Sequence, residues 1–117
     1  MTVKRIVIDI ATNDVPAIQT FYQDLFDLSP VMDQGWIVTL ASGEAAKVQL
    51  SIASEGGSGT QVPDMSIEVD DVDAVYVRAK SLGVEIVYNL TDEPWGVRRF
   101  YARDPAGKVL NILAHAA

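Results

Sequence analysis

Asp9, Asp64 and Glu68 fall on or beside stretches in which apolar and polar residues alternate, and that alternation delivers polar side chains to one face of a sheet. A carboxylate in an apolar cleft has its proton affinity raised toward neutrality, which suits it to acid–base work. His115 is the one histidine, so a site of two histidines and a carboxylate, as in iron enzymes, cannot be assembled within one subunit. With Asn111 and Leu113 it shares a face of the last predicted strand, where it either lines a cleft or is plain surface. There is no cysteine, which excludes disulfides, thiolate metal sites and cysteine nucleophiles. Gly56-Gly57-Ser58-Gly59 lacks a preceding strand, an immediate helix and a lysine, so it is no phosphate loop, and no nucleophile triad is visible.

Positioning these groups requires a particular order of elements. Ile6, Ile8 and Ile10 alternate with Arg5, Val7 and Asp9, which predicts a first strand with the isoleucines toward the helices. Asn13 or Asp14 caps a helix whose apolar residues Val15, Ile18, Phe21, Tyr22, Leu25 and Phe26 recur at helical spacing, ending near Leu28. Strands are predicted at about 30–33, at Trp36–Ala41 and at Lys47–Ala53, with a turn at Ser42-Gly43-Glu44. After the Gly-rich stretch the order restarts: a strand at Met65–Val69, a helix over about 72–82 capped by Asp70 or Asp71, and a strand from Val84 to about Leu90. Strands near Arg98–Arg103 and Lys108–His115 close the chain around the turn Asp104-Pro105-Ala106-Gly107.

Superposing Asp14-Val15 on Asp71-Val72 brings Ile18 onto Val75 and Leu25 onto Leu82, so the chain repeats internally. Each half is strand, helix, then three strands. The expected organisation is α+β, a single domain over residues 1–117 with module one at about 1–54, a joint at about 55–62 and module two at about 63–117.

Asp14-Val15 leading into Phe21-Tyr22 and Leu25, together with Trp95-Gly96, Arg98, Phe100 and Asp104-Pro105-x-Gly107, resembles the vicinal oxygen chelate family of glyoxalases, bleomycin-resistance proteins and extradiol dioxygenases. The resemblance covers essentially the whole chain and implies paired βαβββ modules curled around a shared cleft, commonly completed by a homodimer. Metal-dependent members of that family carry ligands on the first and last strands of each half. The resemblance places their counterparts here at Val7, Gln49, Asp64 and Asn111, of which only Asp64 is a residue metals commonly choose. The oxygens of Gln49, Asp64 and Asn111 are a set able to hold a hard divalent ion such as magnesium or manganese, with waters completing the shell.

Strand alternation then lists a ligand-binding cleft: Asp9, Gln49, Asp64, Ser66, Glu68, Asn111 and Leu113, with Arg98 and Phe100 opposite Leu113 and Asn111 if the last turn is a four-residue connection. Asp9, Glu68 and Arg98 either serve a ligand or pair with one another. Trp36 lines the cleft from the start of a strand, and Trp95, in its loop, lids a planar ligand or plugs the end of a sheet. The expected function is metal-independent binding of a neutral or cationic, partly aromatic small molecule, as in the bleomycin-resistance branch, with no cofactor. The alternative is a glyoxalase-like lyase or isomerase acting on a small oxygenated metabolite, through an oxygen-ligand metal site or carboxylate acid–base chemistry.

A net charge of −7 over 117 residues sets the surface against nucleic acid and anionic lipid. The opening Met1-Thr2-Val3-Lys4-Arg5 precedes only a short apolar run broken by Asp9, unlike a signal peptide, and no stretch approaches the ~20 apolar residues of a membrane span. The expectation is a cytoplasmic homodimer whose other partner is a small molecule.

Overall fold

The computed structural model describes residues 2–43 and 49–115. The element order is β1 (Val3–Ala11), α1 (Val15–Phe26), β2 (Ser29–Asp33), β3 (Ile37–Ala41), β4 (Gln49–Ala53), β5 (Met65–Val69), α2 (Val72–Ser81), β6 (Glu85–Asp92), β7 (Val97–Arg103) and β8 (Val109–His115). This is the βαβββ unit twice over, an α+β fold, as the repeat predicts. Glu44 of the expected turn, and Lys47 and Val48 of the expected strand, lie outside the described residues.

Both helices begin as their sequences dictate. The Asp14 carboxylate accepts from the Ala17 N–H at 3.2 Å, and the Asp71 carboxylate from the Ala74 N–H at 3.1 Å, each taking up an N–H that the first turn leaves without a helical partner. α1 stops two residues short of Leu28, because Asp27 turns left-handed (φ 56°) and sends its N–H back to the Gln23 carbonyl. α2 carries Asp73 in its first turn and Arg78 and Lys80 in its last, complementing the helix dipole at both ends.

The chain divides into two compact units, one of Val7–Val62, the other running from Pro63 onward and including the opening residues through Ile6. β1 therefore contributes to both. In the first unit the strands run β2-β3-β4-β1, with β1 and β4 parallel and the rest antiparallel. Its core is Val15, Val38, Leu40 and Ile52, with Ile10, Ile18 and Tyr22 packed against them. In the second unit the order is β5-β8-β7-β6, with β5 and β8 parallel. There Val69, Val72, Ala79, Phe100, Ala102 and Ile112 form the core beneath α2.

β1 departs from expectation. Ile6 and Ile8 are 58% and 61% exposed while Val7 is buried, so only Ile10 of the predicted apolar stripe reaches a helix-covered core. The reason is placement of the cover: α1 lies over β3 and β4.

Candidate functional site

The second unit's sheet is covered on one face by α2, and its other face gathers polar and aromatic side chains. Which β7 residues join that face depends on the β7–β8 turn. Expectation placed Phe100 opposite Asn111 and Arg98 opposite Leu113; the structure pairs Phe100 with Ile112, Arg98 with Ala114, Tyr101 with Asn111 and Arg99 with Leu113. The connection holds five residues, not four. Arg103 pairs with Val109, and Asp104 organises what lies between by accepting from the Ala106 and Lys108 N–H groups at 2.8 and 2.9 Å, with Gly107 at φ +85°. One added residue slides β7 by one place and exchanges its faces. Phe100 is consequently fully buried against α2, edge-on to Tyr76, and Arg98 joins Asp73 at 2.9 Å and Asp92 at 3.0 Å, while Glu68 pairs with Arg5 and His115. Arg99 and Tyr101 take the places foreseen for Arg98 and Phe100. A glycine in the left-handed region four residues into a hairpin is the signal that announces such a bulged turn.

Arg99 is the centre of the face. Its side chain is 3% exposed and forms an ion pair at 2.7 Å with Glu93, which is 2% exposed. Tyr88, Trp95 and Tyr101 surround the guanidinium with ring centroids 5.4, 5.0 and 5.0 Å away, the geometry of cation–π attraction. The Tyr88 hydroxyl donates to Glu93, and Arg99 donates to the Tyr101 hydroxyl at 3.1 Å. Glu93 also begins the loop that carries Trp95, its N–H bonded to the Val97 carbonyl at 2.8 Å. Trp95, half-buried, thus lies over Arg99 as part of a rigid aromatic wall. Tyr88 could not be placed from sequence, since β6 breaks register on either side of it.

Beside this wall lie Ser66 and Asn111, paired across β5 and β8, with the Asn111 amide donating to the Ser66 hydroxyl at 3.0 Å. The Asn111 amide oxygen is buried and has no hydrogen-bond partner among the described residues. Farther along, Glu68 accepts from Arg5 at 2.6 Å and meets His115 Nδ1 at 2.8 Å. Partial burial pushes the Glu68 carboxyl up, but hydrogen bonds from His115 and Arg5 outweigh it and hold the group below its ordinary value. Leu113, buried, stands between Glu68 and Arg99 in register.

Around the start of α2, a cavity of about 300 Å³ is lined by Asp70, Asp71, Val72, Asp73, Asp92, Arg98, Ala114 and His115. The Asp73 carboxyl is held low by its hydrogen bonds from Arg98, and Arg98 is raised in turn, first by Asp73 and then by Asp92.

In the first unit, Asp9 stands in register with Ser51, whose hydroxyl bonds Thr39 at 2.7 Å, and Gln49 pairs with Ala41. Trp36 precedes β3 rather than opening it, and its carbonyl accepts from the Ser54 N–H at 2.9 Å.

The residues at the resemblance's four ligand positions do not fit a divalent metal. Val7 offers no donor; Gln49 and Asn111 offer neutral amides. Asn111 stands beside Ser66, so register puts a serine hydroxyl where Asp64 was expected. Asp64 precedes β5, and its carboxylate accepts from the Val109 N–H at 2.7 Å, fastening the start of β8. Among the described residues no three His, Cys, Asp or Glu side chains are grouped to hold a metal.

Solved structures share this architecture. A Legionella pneumophila protein described as an NAD-dependent benzaldehyde dehydrogenase superposes with a TM-score of 0.79 at 16% identity, over 95% of this chain and 99% of that one. A glyoxalase/bleomycin resistance protein/dioxygenase superfamily member from Vibrio splendidus 12B01 gives 0.70 at 19% identity, over 97% and 99%. Methylmalonyl-CoA epimerase from Mycobacterium tuberculosis gives 0.61 at 19%, over 98% and 88%. No curated protein matches the sequence. The family model of the Glyoxalase/Bleomycin resistance protein/Dioxygenase superfamily matches residues 3–112, and with both βαβββ modules in place the chain belongs to that superfamily.

Proposed function

We propose that the protein binds a small molecule without a metal, in the manner of the bleomycin-resistance branch, and that the ligand is neutral or cationic and partly aromatic. The observation that carries this reading is the open face of the second unit, where Tyr88, Trp95 and Tyr101 surround the Arg99–Glu93 pair beside an Asn111 oxygen that lacks a donor among the described residues. Rigid aromatic surface with a few placed polar groups is what small-molecule sites offer. The formal charges of this face balance, Arg5 and Arg99 against Glu68 and Glu93, so nothing in it favours an anion. The net charge of −7 works against a polyanion such as an acyl-CoA. We also read the chain as a cytoplasmic homodimer, because α1 exposes Phe21, Leu25 and Phe26, more apolar surface than one helix ordinarily leaves to water.

The test is elemental analysis of untagged protein, followed by thermal midpoints with magnesium, manganese, nickel, zinc or a chelator. No stoichiometric metal and no saturable shift are expected; either one, lost in Asp64→Ala, overturns the reading. Aromatic amines and neutral aromatics, screened by fluorescence in a Trp36→Phe background that leaves Trp95 as reporter, should then give saturable quenching that aromatic carboxylates do not.

A second reading, proton-transfer catalysis on a small oxygenated metabolite, is favoured by one observation, the hydrogen bond between Glu68 and His115.

A further inference from the structure

The buried polar side chains satisfy one another, with one exception. Thr39 and Ser51 share a hydrogen bond at 2.7 Å, and Glu93 and Arg99 an ion pair at 2.7 Å. Asn111 is 9% exposed, and its two amide atoms are unequally provided for. Nδ2 donates to the Ser66 hydroxyl at 3.0 Å, while Oδ1 is buried with no hydrogen-bond partner among the described residues. A buried acceptor without a donor destabilises a fold, and an apolar side chain of the same shape carries no such penalty. The oxygen is therefore kept at a structural cost, and its place says what use it has. Asn111 stands in register with Tyr101 on β7 and Ser66 on β5, on the face that carries Arg99. There the rings of Tyr88, Trp95 and Tyr101 already meet the Arg99 guanidinium at 5.0 to 5.4 Å, so their attraction for a positive charge is taken up by a residue of the chain itself.

We propose that Asn111 is the specificity-determining residue of the aromatic face, and that its Oδ1 accepts a hydrogen bond from a neutral aromatic ligand bearing an O–H or N–H, as a phenol does. The proposal rests on the reading of that face as a ligand site and narrows it. Between neutral and cationic ligands it selects the neutral, and among these it selects the hydrogen-bond donors. The ligand's ring lies against the aromatic side chains and its donor meets Oδ1, while Nδ2 keeps its bond to Ser66. A ligand of the same shape with a methyl group in place of the hydroxyl leaves the acceptor as it was, and gains nothing from Asn111.

The experiment titrates nitrogen-15-labelled protein with 4-methylphenol, p-xylene, 4-methylacetophenone and tyramine, following the Trp95 indole and Asn111 side-chain amide signals. The first pair exchanges hydroxyl for methyl, 4-methylacetophenone offers only an acceptor, and tyramine adds a positive charge to the phenol. 4-Methylphenol is expected to bind about 10-fold more tightly than p-xylene or 4-methylacetophenone, within the range that satisfying a buried acceptor supplies. Tyramine should bind no more tightly than 4-methylphenol. In Asn111→Leu the preference for 4-methylphenol over p-xylene should vanish, and the thermal midpoint should match or exceed that of the wild type, because the unpaired oxygen is gone. Equal binding of 4-methylphenol and p-xylene, with both moving the Trp95 signal, overturns the role of Asn111 and leaves the face a ligand site. Tightest binding by 4-methylacetophenone overturns the direction of the hydrogen bond, and tightest binding by tyramine overturns the preference for a neutral ligand. A lowered midpoint in Asn111→Leu makes Asn111 a structural residue and overturns the proposal. If none of the probes moves either signal, the proposal falls together with the reading on which it rests.

Discussion

Glu93 and Arg99 are each within a few per cent of complete burial, and neither has water to fall back on if the other is removed. Glu93→Ala should therefore cost about 3–5 kcal/mol, since it strands a guanidinium in the interior, as urea unfolding would register. Glu93→Gln, which keeps a hydrogen-bond acceptor, should cost less. Glu68 predicts a pH effect of definite sign. Its folded carboxyl binds a proton less tightly than the unfolded one, whose value is near 4.5. The stability it supplies is therefore whole above about pH 4.5 and is lost as pH falls through the lower folded value. Urea midpoints should drop more steeply below pH 4.5 in the wild type than in Glu68→Gln; parallel curves would mean that the pairing contributes nothing. At this scale Ser66, Glu68, Asn111 and Leu113 were legible, because they sit on short, regular strands where alternation alone assigns a face. Glu93, Tyr88 and Arg99 were not. Charge and aromaticity are visible in a sequence, but burial of an ion pair depends on which distant side chains close over it.

Elements were read well wherever a cap or an alternating run marks them. Asp14, Asp71 and Gly83 announce their helix ends by chemistry that acts within four residues, and the observed limits differ by one or two positions. The β7–β8 hairpin is where local rules ran out: a single residue in the turn decided that Phe100, not Tyr101, faces the helix. Substitutions test that register directly. Phe100→Ala should destabilise by about 3–5 kcal/mol, the cost of emptying a fully buried aromatic site. Arg98→Ala removes exposed pairs with Asp73 and Asp92 and should cost far less than Phe100→Ala. The reverse order in urea melts would restore the four-residue turn.

Over the whole molecule the repeat is faithful in topology and unequal in surface. The position that Phe21 holds in α1 is Arg78 in α2, and Tyr22 corresponds to Ala79. α1 therefore leaves Phe21, Leu25 and Phe26 about half exposed or more, where the second module has Arg78, Leu82 and Gly83. If that surface joins two copies, light scattering should give a dimer mass for the wild type and a monomer mass for Phe21→Glu/Leu25→Glu, with circular dichroism unchanged. Among the described residues no helix is long and apolar enough to cross a membrane, so this apolar face asks for a different cover.

The use of β1 by both units also sets a timetable for the chain as it is made. Arg5 waits for Glu68 and Thr2 for Asp70, partners 63 and 68 residues downstream, so these two contacts cannot form until the start of the second module has been synthesised. A nascent chain halted before residue 63 can pair β1 with β4 but lacks Glu68 and Asp70 for Arg5 and Thr2. A fragment starting at Pro63 lacks the clamp on its central carboxylate for the same reason. The second module is thus drawn from two stretches of the sequence with the whole of the first unit between them.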